Sequence, residues 1–347
     1  MSFTVGEQEQ IVRDAPTFPI QDMLSKTMYE VRNHEKILVS ISGGSDSDIL
    51  LDAIYKMDPN KKATYVFFDT GLEYAATKRH LTDLEEKYGI QIERVRPVMP
   101  IPMCCRKYGV PFWSKLASEY IYRLQKHNFK WEDRPFDELY AEYPKCKIAL
   151  MWWCNVNPRK ANGGVSSFNI EYTPYLKEYM VANPPTFKIS SKCCEKAKKE
   201  PSHKYEKNQA FDLSCTGVRK AEGGLRSVIH ASCTTRVDFG TDSFRPLFWL
   251  TDGDKEDYKR RYEIKNSDCY EVWGMERTGC CGCPFGKRFE QELELMQKYE
   301  PKMYKATNNI FGDSYEYTRK YLQFRLEMKE KQKVERADEK DENRKFI

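Results

Sequence analysis

No apolar run in the 347-residue sequence approaches the roughly 20 residues needed to cross a bilayer. The opening segment, Met1-Ser2-Phe3-Thr4-Val5-Gly6-Glu7, has no basic stretch followed by an apolar one, so no export signal is expected. No internal repeat is evident, and the spacing Gly-x-x-x-x-Gly-Lys-Ser/Thr of a Walker phosphate loop is missing. The charge excess is small: 57 basic against 52 acidic residues leave +5, which permits an anionic partner without demanding one. Basic stretches such as Lys196-Ala197-Lys198-Lys199 and Lys259-Arg260-Arg261 read first as solvated helix faces. These absences point to a soluble cytoplasmic chain with no membrane contact. What is present is a core: 40% hydrophobic and 13% aromatic residues argue against disorder. A chain of this length is expected to form about two structural units.

Without an export signal, twelve cysteines need an explanation other than disulfides, because cytosolic thiols are kept reduced. They are unevenly placed. Cys104-Cys105 and Cys193-Cys194 are vicinal pairs, and Thr278-Gly279-Cys280-Cys281-Gly282-Cys283-Pro284 packs three into four positions. Cys146, Cys154, Cys215, Cys233 and Cys269 are dispersed and read as small buried hydrophobes. Cys280-x-x-Cys283 has the spacing at which one tight turn points two thiolates at a metal, and a four-ligand site must borrow two more. Cys193-Cys194 is the natural lender, with Cys104-Cys105 and Cys281 as alternatives. Four thiolates suit iron–sulfur or zinc.

Residues 37–41, Ile-Leu-Val-Ser-Ile, form a β-prone run that stops in Ser42-Gly43-Gly44-Ser45-Asp46-Ser47 and continues as the helical Asp48-Ile49-Leu50-Leu51. A strand, a glycine-hinged polar loop and a helix start make a phosphate site, because N–H groups converge on an anion at the positive end of the helix dipole. An ordinary tight turn would equally explain a bare pair of glycines. The full pattern Ser-Gly-Gly-x-Asp-Ser, however, resembles the pyrophosphate-binding loop of the ATP pyrophosphatase group (PP-loop) of the adenine nucleotide α-hydrolase-like fold. That resemblance implies that Ser42, Gly43, Gly44, Ser45 and Ser47 cradle the phosphates of ATP. It also implies that Asp46 acts in catalysis by placing a metal-bound pyrophosphate, with Mg²⁺ as the cation.

Further segments resemble the adenylylsulfate and phosphoadenylylsulfate (PAPS) reductase family. Phe68-Asp69-Thr70-Gly71 follows a second strand and is similar to the family's nucleotide loop, which implies cofactor contacts from Asp69, Thr70 and Gly71. Gly217-Val218-Arg219, with Glu222 and Arg226, resembles an element whose arginines reach phosphate; Arg219 is read as catalytic and Arg226 as nucleotide-binding. Arg245-Pro246-Leu247-Phe248-Trp249 resembles a further segment that precedes a helix, expected at 255–262. Lys192-Cys193-Cys194 through Pro201 resembles the paired-cysteine segment of the iron–sulfur members. There the pair and a later Cys-x-x-Cys hold a [4Fe–4S] cluster, so Cys193, Cys194, Cys280 and Cys283 are the implied metal ligands, with zinc as the alternative.

The expected fold is α/β: a Rossmann-like parallel sheet flanked by helices, with a mainly helical insertion and a cysteine-rich metal-binding C-terminal part. Strands are expected near 36–41, 64–69, 91–96 and 212–217, with helices at 20–34 and 75–87. Residues 1–35 read as an N-terminal arm and helix, 36–290 as the catalytic domain with an aromatic-rich insertion at 103–190, and 291–347 as a charged helical segment. The insertion's tryptophans read as core packing in preference to nucleic-acid stacking.

Two departures from the reductases bear on the chemistry. Those enzymes use a cysteine on a C-terminal tail, whereas no cysteine follows Cys283 here. Their phosphate loop also deviates from the full pattern retained here. The leading expectation is therefore an ATP-dependent sulfurtransferase, similar to the reductase-like proteins of DNA phosphorothioation systems, that acts on nucleic acid with a cysteine desulfurase as sulfur donor. A thioredoxin-dependent phosphosulfate reductase using Cys215 or Cys233, and a nucleotide-binding regulatory subunit of a defence or mobile-element complex, are the alternatives.

Overall fold

The computed structural model describes residues 3–223, 229–286 and 288–345, with side chains to 335. The chain divides into two compact units. The first comprises residues 1–101, 196–281 and 294–303; the second comprises 102–195, 282–293 and 304–347.

The first unit is built on a six-stranded sheet. Its strands are β1 (Ile37–Ile41), β2 (Ala63–Phe68), β3 (Ile92–Val95), β4 (Leu213–Thr216), β5 (Thr234–Thr235) and β6 (Asp242–Phe244), in the order β3-β2-β1-β4-β6-β5. Every pairing is parallel except β5 with β6. A parallel sheet is covered on both faces, and the apolar run of β1 fits that demand. Ile37, Val39 and Ile41 belong to one buried cluster and Leu38, with Val66 and Phe68 of β2, to another. The first cluster is closed by the helices Phe18–Asn33 and Ser45–Met57, through Ile20, Met23, Leu24, Ile49, Leu50 and Ile54.

Four strands and two helices fall where the sequence places them. Two boundaries move. The helix expected at 255–262 begins at Asp252, because Thr251 caps it: its hydroxyl accepts from the Asp254 N–H at 3.2 Å and donates to the Asp254 carboxylate at 2.6 Å. The charged helical segment expected at 291–347 is two helices, Phe289–Tyr299 and Pro301–Lys345, the second opening at a proline suited to the first helical turn.

The second unit contains the aromatic insertion as helices Ile101–Tyr108, Lys115–Lys126, Phe136–Glu142, Lys147–Trp153 and Leu176–Ala182. Trp131, Trp152 and Trp153 are core, packed with Phe112, Phe129, Tyr179, Tyr317 and Tyr321. Edge-to-face contacts such as Phe129 with Trp153 (centroids 5.5 Å apart) account for the insertion's aromatic content. Within this unit Val110 bridges Ile189 in parallel, with Val110 N–H donating to the Lys188 carbonyl and Ser190 N–H to the Val110 carbonyl, each at 2.9 Å.

Candidate active site

Strand order reverses at β1, whose two neighbours are β2 and β4, and ligands of open α/β sheets bind beyond the carboxyl ends at such a point. The Ser42–Ser47 loop follows β1, and the Gly217–Arg219 segment follows β4. Gly43 takes a left-handed backbone (φ +66°), and an added Cβ would stand 2.6 Å from Thr77 Cγ2. Around Gly44 the space is polar: a Cβ there would meet the hydroxyls of Tyr270, Ser42 and Thr278 at 3.2–3.3 Å. Tyr270 and Thr278 are hydrogen-bonded to each other at 2.9 Å. The Ser47 hydroxyl closes the loop on itself, donating to the Gly44 carbonyl at 2.8 Å and accepting the Gly44 N–H at 3.1 Å. The result is a hydroxyl-lined cradle at the start of the helix Ser45–Met57.

Gly43→Ala should weaken this cradle. A left-handed alanine costs about 1–2 kcal/mol, and the Thr77 contact adds to it, so ATP affinity is expected to fall about tenfold. Calorimetric titration showing unchanged affinity would remove the loop from nucleotide binding.

Asp46 stands at the loop's edge, where its Oδ1 accepts from Arg219 Nε at 3.1 Å and Lys255 Nζ at 2.9 Å. Arg219 is almost fully buried and also donates to Asp252 Oδ1 at 2.8 Å. Burial disfavours its charge, but the two carboxylates more than restore it. The close approach at Gly217 brings Arg219 here, since a Cβ at that glycine would lie 3.1 Å from the Asp46 carbonyl oxygen. Sequence reading missed Lys255 and Asp252. A lysine in a first helical turn opposes the helix dipole, and that is the signal that marks Lys255. Arg226 lies outside the described residues.

The loop after β2 is ordered by its own acids. Asp69 accepts the Gly71 N–H at 3.0 Å and pairs with Lys78 at 3.2 Å. The Thr70 hydroxyl donates to Glu73 Oε1 at 2.6 Å and lies 3.7 Å from Cys280 Sγ. Burial pushes the Glu73 carboxyl up against the hydrogen bond from Thr70. A second buried group supports the Ser42–Ser47 loop from beneath. Asp48 Oδ2 contacts His80 Nε2 at 2.9 Å and accepts from Asn266 Nδ2 at 2.8 Å, and Asn266 Oδ1 accepts from the Ser45 hydroxyl at 3.2 Å.

The cysteines divide between the units. Cys280 and Cys281 belong to the first, where Cys281 is fully buried and its N–H donates to the Leu72 carbonyl at 3.0 Å. Burial pushes the Cys281 thiol well up. Cys104, Cys105, Cys193, Cys194 and Cys283 belong to the second. There the Cys193 thiol shares hydrogen bonds with Cys105 and Cys194 and lies within electrostatic reach of Cys283; the Cys105 bond is the main reason it is pushed well up. Among the described residues, no three or more His, Cys, Asp or Glu side chains are grouped to hold a metal ion.

With this geometry established, residues 36–143 match the phosphoadenosine phosphosulfate reductase domain. That segment belongs to the PAPS reductase family. An uncharacterized protein of Methanocaldococcus jannaschii is 32% identical over 83% of this chain and 44% of its own length. Adenosine 5′-phosphosulfate reductase 2 of Bacillus subtilis is 35% identical over 23% of this chain and 34% of its own. The chain thus spans less than half the length of the curated relatives it matches. A phosphoadenylyl-sulfate reductase structure from Candida auris, a phosphate complex, aligns at 12% identity over 81% of this chain and 97% of that one, with a TM-score of 0.41. The PAPS reductase domain carries the β1 loop, the β2 loop and the first cysteine pair. No described helix is long and apolar enough to cross a membrane.

Proposed function

We propose that this protein is an ATP-dependent adenylating enzyme that assists sulfur incorporation into a nucleic acid or related substrate, releasing AMP and pyrophosphate. The observation that carries this reading is the complete Ser42–Ser47 loop with its hydroxyl cradle and the Asp46–Arg219–Lys255 cluster at its edge. Cleavage between the α- and β-phosphates moves negative charge onto pyrophosphate, and two fixed cations beside the loop stabilise that charge where it develops. One hard carboxylate near the polyphosphate is also what Mg²⁺ uses, because that ion binds through one or two carboxylates plus phosphates.

A soft thiolate donor set suits an iron–sulfur group, which when bound would supply sulfide-bearing, redox-active iron. A sulfur-donor protein of the cysteine desulfurase class is the matching partner. The phosphosulfate reductase alternative loses one of its thiols: Cys215 is fully buried in β4, and burial pushes it well up, away from nucleophilic use.

Incubation of the anaerobic protein with ATP, Mg²⁺, nucleic acid and a sulfur source (a cysteine desulfurase with cysteine, or sulfide) is expected to yield AMP and pyrophosphate in equal amounts. ADP and phosphate, or no ATP turnover with any nucleic acid, would overturn the reading. Sulfite release from a phosphosulfate with thioredoxin would establish the reductase instead.

A further inference from the structure

On the sulfur-transfer reading above, we infer that Cys233 is the thiol that receives sulfur from the donor as a persulfide, and that the buried Arg245 is the counter-ion of its attacking thiolate.

The sheet register places Cys233 at the edge where the nucleotide loop lies. Val39 of β1 pairs with Cys215 of β4, Cys215 with Phe244 of β6, and Phe244 with Thr234 of β5, so these four residues form one row. Because β5 runs antiparallel to β6, the residue before Thr234 lies towards the carboxyl ends of β1, β4 and β6. That edge carries the Ser42–Ser47 loop and is where ligands of such sheets bind. With neighbouring strands about 4.8 Å apart, β5 stands roughly 14 Å from β1. The turn Pro246–Trp249 links the two positions, leading from Arg245 to Leu250, whose carbonyl accepts from Arg219 Nη1 at 3.4 Å.

The same register sets Cys233 opposite Arg245, one step beyond the Thr234–Phe244 pair, and the Arg245 N–H donates to the Cys233 carbonyl at 2.7 Å. Opposite residues of an antiparallel pair share a face, and Thr235 shares it by alternation. The Arg245 side chain crosses that face: Nη2 donates to the Thr235 hydroxyl, and Nε donates to the Ser232 carbonyl at 3.4 Å. Arg245 is 4% exposed and both acceptors are neutral. Among the described residues no carboxylate pairs with it, and a buried charge left without a counter-charge is strongly unfavourable. Burial pushes the Arg245 guanidinium down, and the charge of Cys233 opposes that. Lys26, on the helix Phe18–Asn33, is within electrostatic reach of the same thiol and pairs with Asp22 at 2.6 Å. Glu30, on that helix, contacts the Thr234 hydroxyl at 3.5 Å and is neutralised by Arg236, whose Nη2 reaches both its oxygens at 2.7 Å.

Cys233 is also accessible. Its sequence reads as that of a small buried hydrophobe, yet the residue is half-buried, and Ser232 and Thr235 beside it are exposed. Of the other dispersed cysteines, Cys146, Cys215 and Cys269 are buried, and burial pushes the Cys154 thiol up. Access and a neighbouring cation are what a nucleophilic cysteine needs. In the step itself the Cys233 sulfur attacks the terminal sulfur of the donor's persulfide. A new S–S bond forms at Cys233, the donor's S–S bond breaks, and its electron pair leaves on the donor's thiolate, so no outside oxidant or reductant is consumed.

The test exposes the reduced full chain, without oxygen and without ATP, to inorganic polysulfide and follows sulfur addition at each cysteine by peptide mass spectrometry. Cys233 should load first, an order that the parent protein alone reveals. Arg245→Gln should slow loading at Cys233 about tenfold, the scale of losing one nearby opposite charge, and Arg245→Lys should restore most of the rate. Circular dichroism and the loading rate at Cys154 in the same samples control for loss of folding. Faster loading at another cysteine of the parent, or an unchanged Cys233 rate in a folded Arg245→Gln protein, would overturn the inference. Loading elsewhere in a protein that forms AMP and pyrophosphate from ATP would overturn this inference alone. Loading first at Cys233 in a protein that forms no AMP would support it while overturning the adenylating reading.

Discussion

Asp46→Asn is expected to lower pyrophosphate release from ATP about 100-fold or more, the scale of losing a positioned charge at a reacting centre, while ATP still binds. Asparagine keeps the shape of the side chain but cannot balance Arg219 and Lys255, which both donate to Asp46 Oδ1, at 3.1 and 2.9 Å. The two cations then repel each other, and Arg219 is left with Asp252 as its carboxylate partner. Ground-state binding of a polyphosphate does not suffer from this, because two cations released from a carboxylate attract it more strongly. The chemical step does suffer, since it needs the cations and the metal-bound pyrophosphate in fixed relation. The signature is a fall in kcat with KM for ATP unchanged or lower. AMP and pyrophosphate would be measured beside ATP binding and a thermal melt on one preparation. Unchanged turnover would remove Asp46 from catalysis and favour a nucleotide-binding regulatory role. Loss of binding and fold together would show Asp46 to be structural.

Much of this cluster was legible locally and some of it was not. The strands β1 to β4 announce themselves as apolar runs ended by turn residues, and the Ser42–Ser47 loop is a contiguous motif. The strands β5 and β6 do not: Thr234-Thr235 and Asp242-Ser243-Phe244 are too short and polar to show a period, and they exist because β4 offers a free edge. The partners of the loop are equally silent. His80, Asn266 and Lys255 come from other elements, and only tertiary packing brings them to Asp48 and Asp46. The same holds for the cysteines. Vicinal pairs are visible in any sequence, but the contact of Cys105 with Cys193 depends on a single bridge at Val110 and a glycine that permits it. The tryptophans of the insertion show the converse. Their number invites a ligand-stacking role, and packing density alone accounts for Trp131, Trp152 and Trp153.

His80→Gln is expected to destabilise the protein by up to about 3 kcal/mol near pH 6, the scale of breaking a buried ion pair, and by less as the pH rises. His80 is 6% exposed and Asp48 is 0% exposed. Burial disfavours a charged imidazole, but the hydrogen bond to Asp48, its charge, and the charges of Asp83 and Asp268 outweigh that cost, so the pKa is raised from 6.5. A raised histidine pKa contributes stability that is fully present below the unfolded value of about 6.5 and is lost as the pH rises through the folded value. Asp48 makes the charge necessary: its Oδ1 is buried with no hydrogen-bond partner, so an imidazolium at Oδ2 is its main electrostatic compensation. Asn266 passes this constraint to the Ser45 hydroxyl, at the first residue of the helix that opens within the Ser42–Ser47 loop. ATP affinity should therefore follow the same trend, falling towards alkaline pH in the parent and staying flat in His80→Gln. Denaturation curves and ATP titrations at several pH values between about 6 and 9 would decide it. A gap between parent and variant that stays constant across that range would mean that neutral imidazole suffices, and that the Asp48–His80 pair fills space without holding a charge beneath the loop.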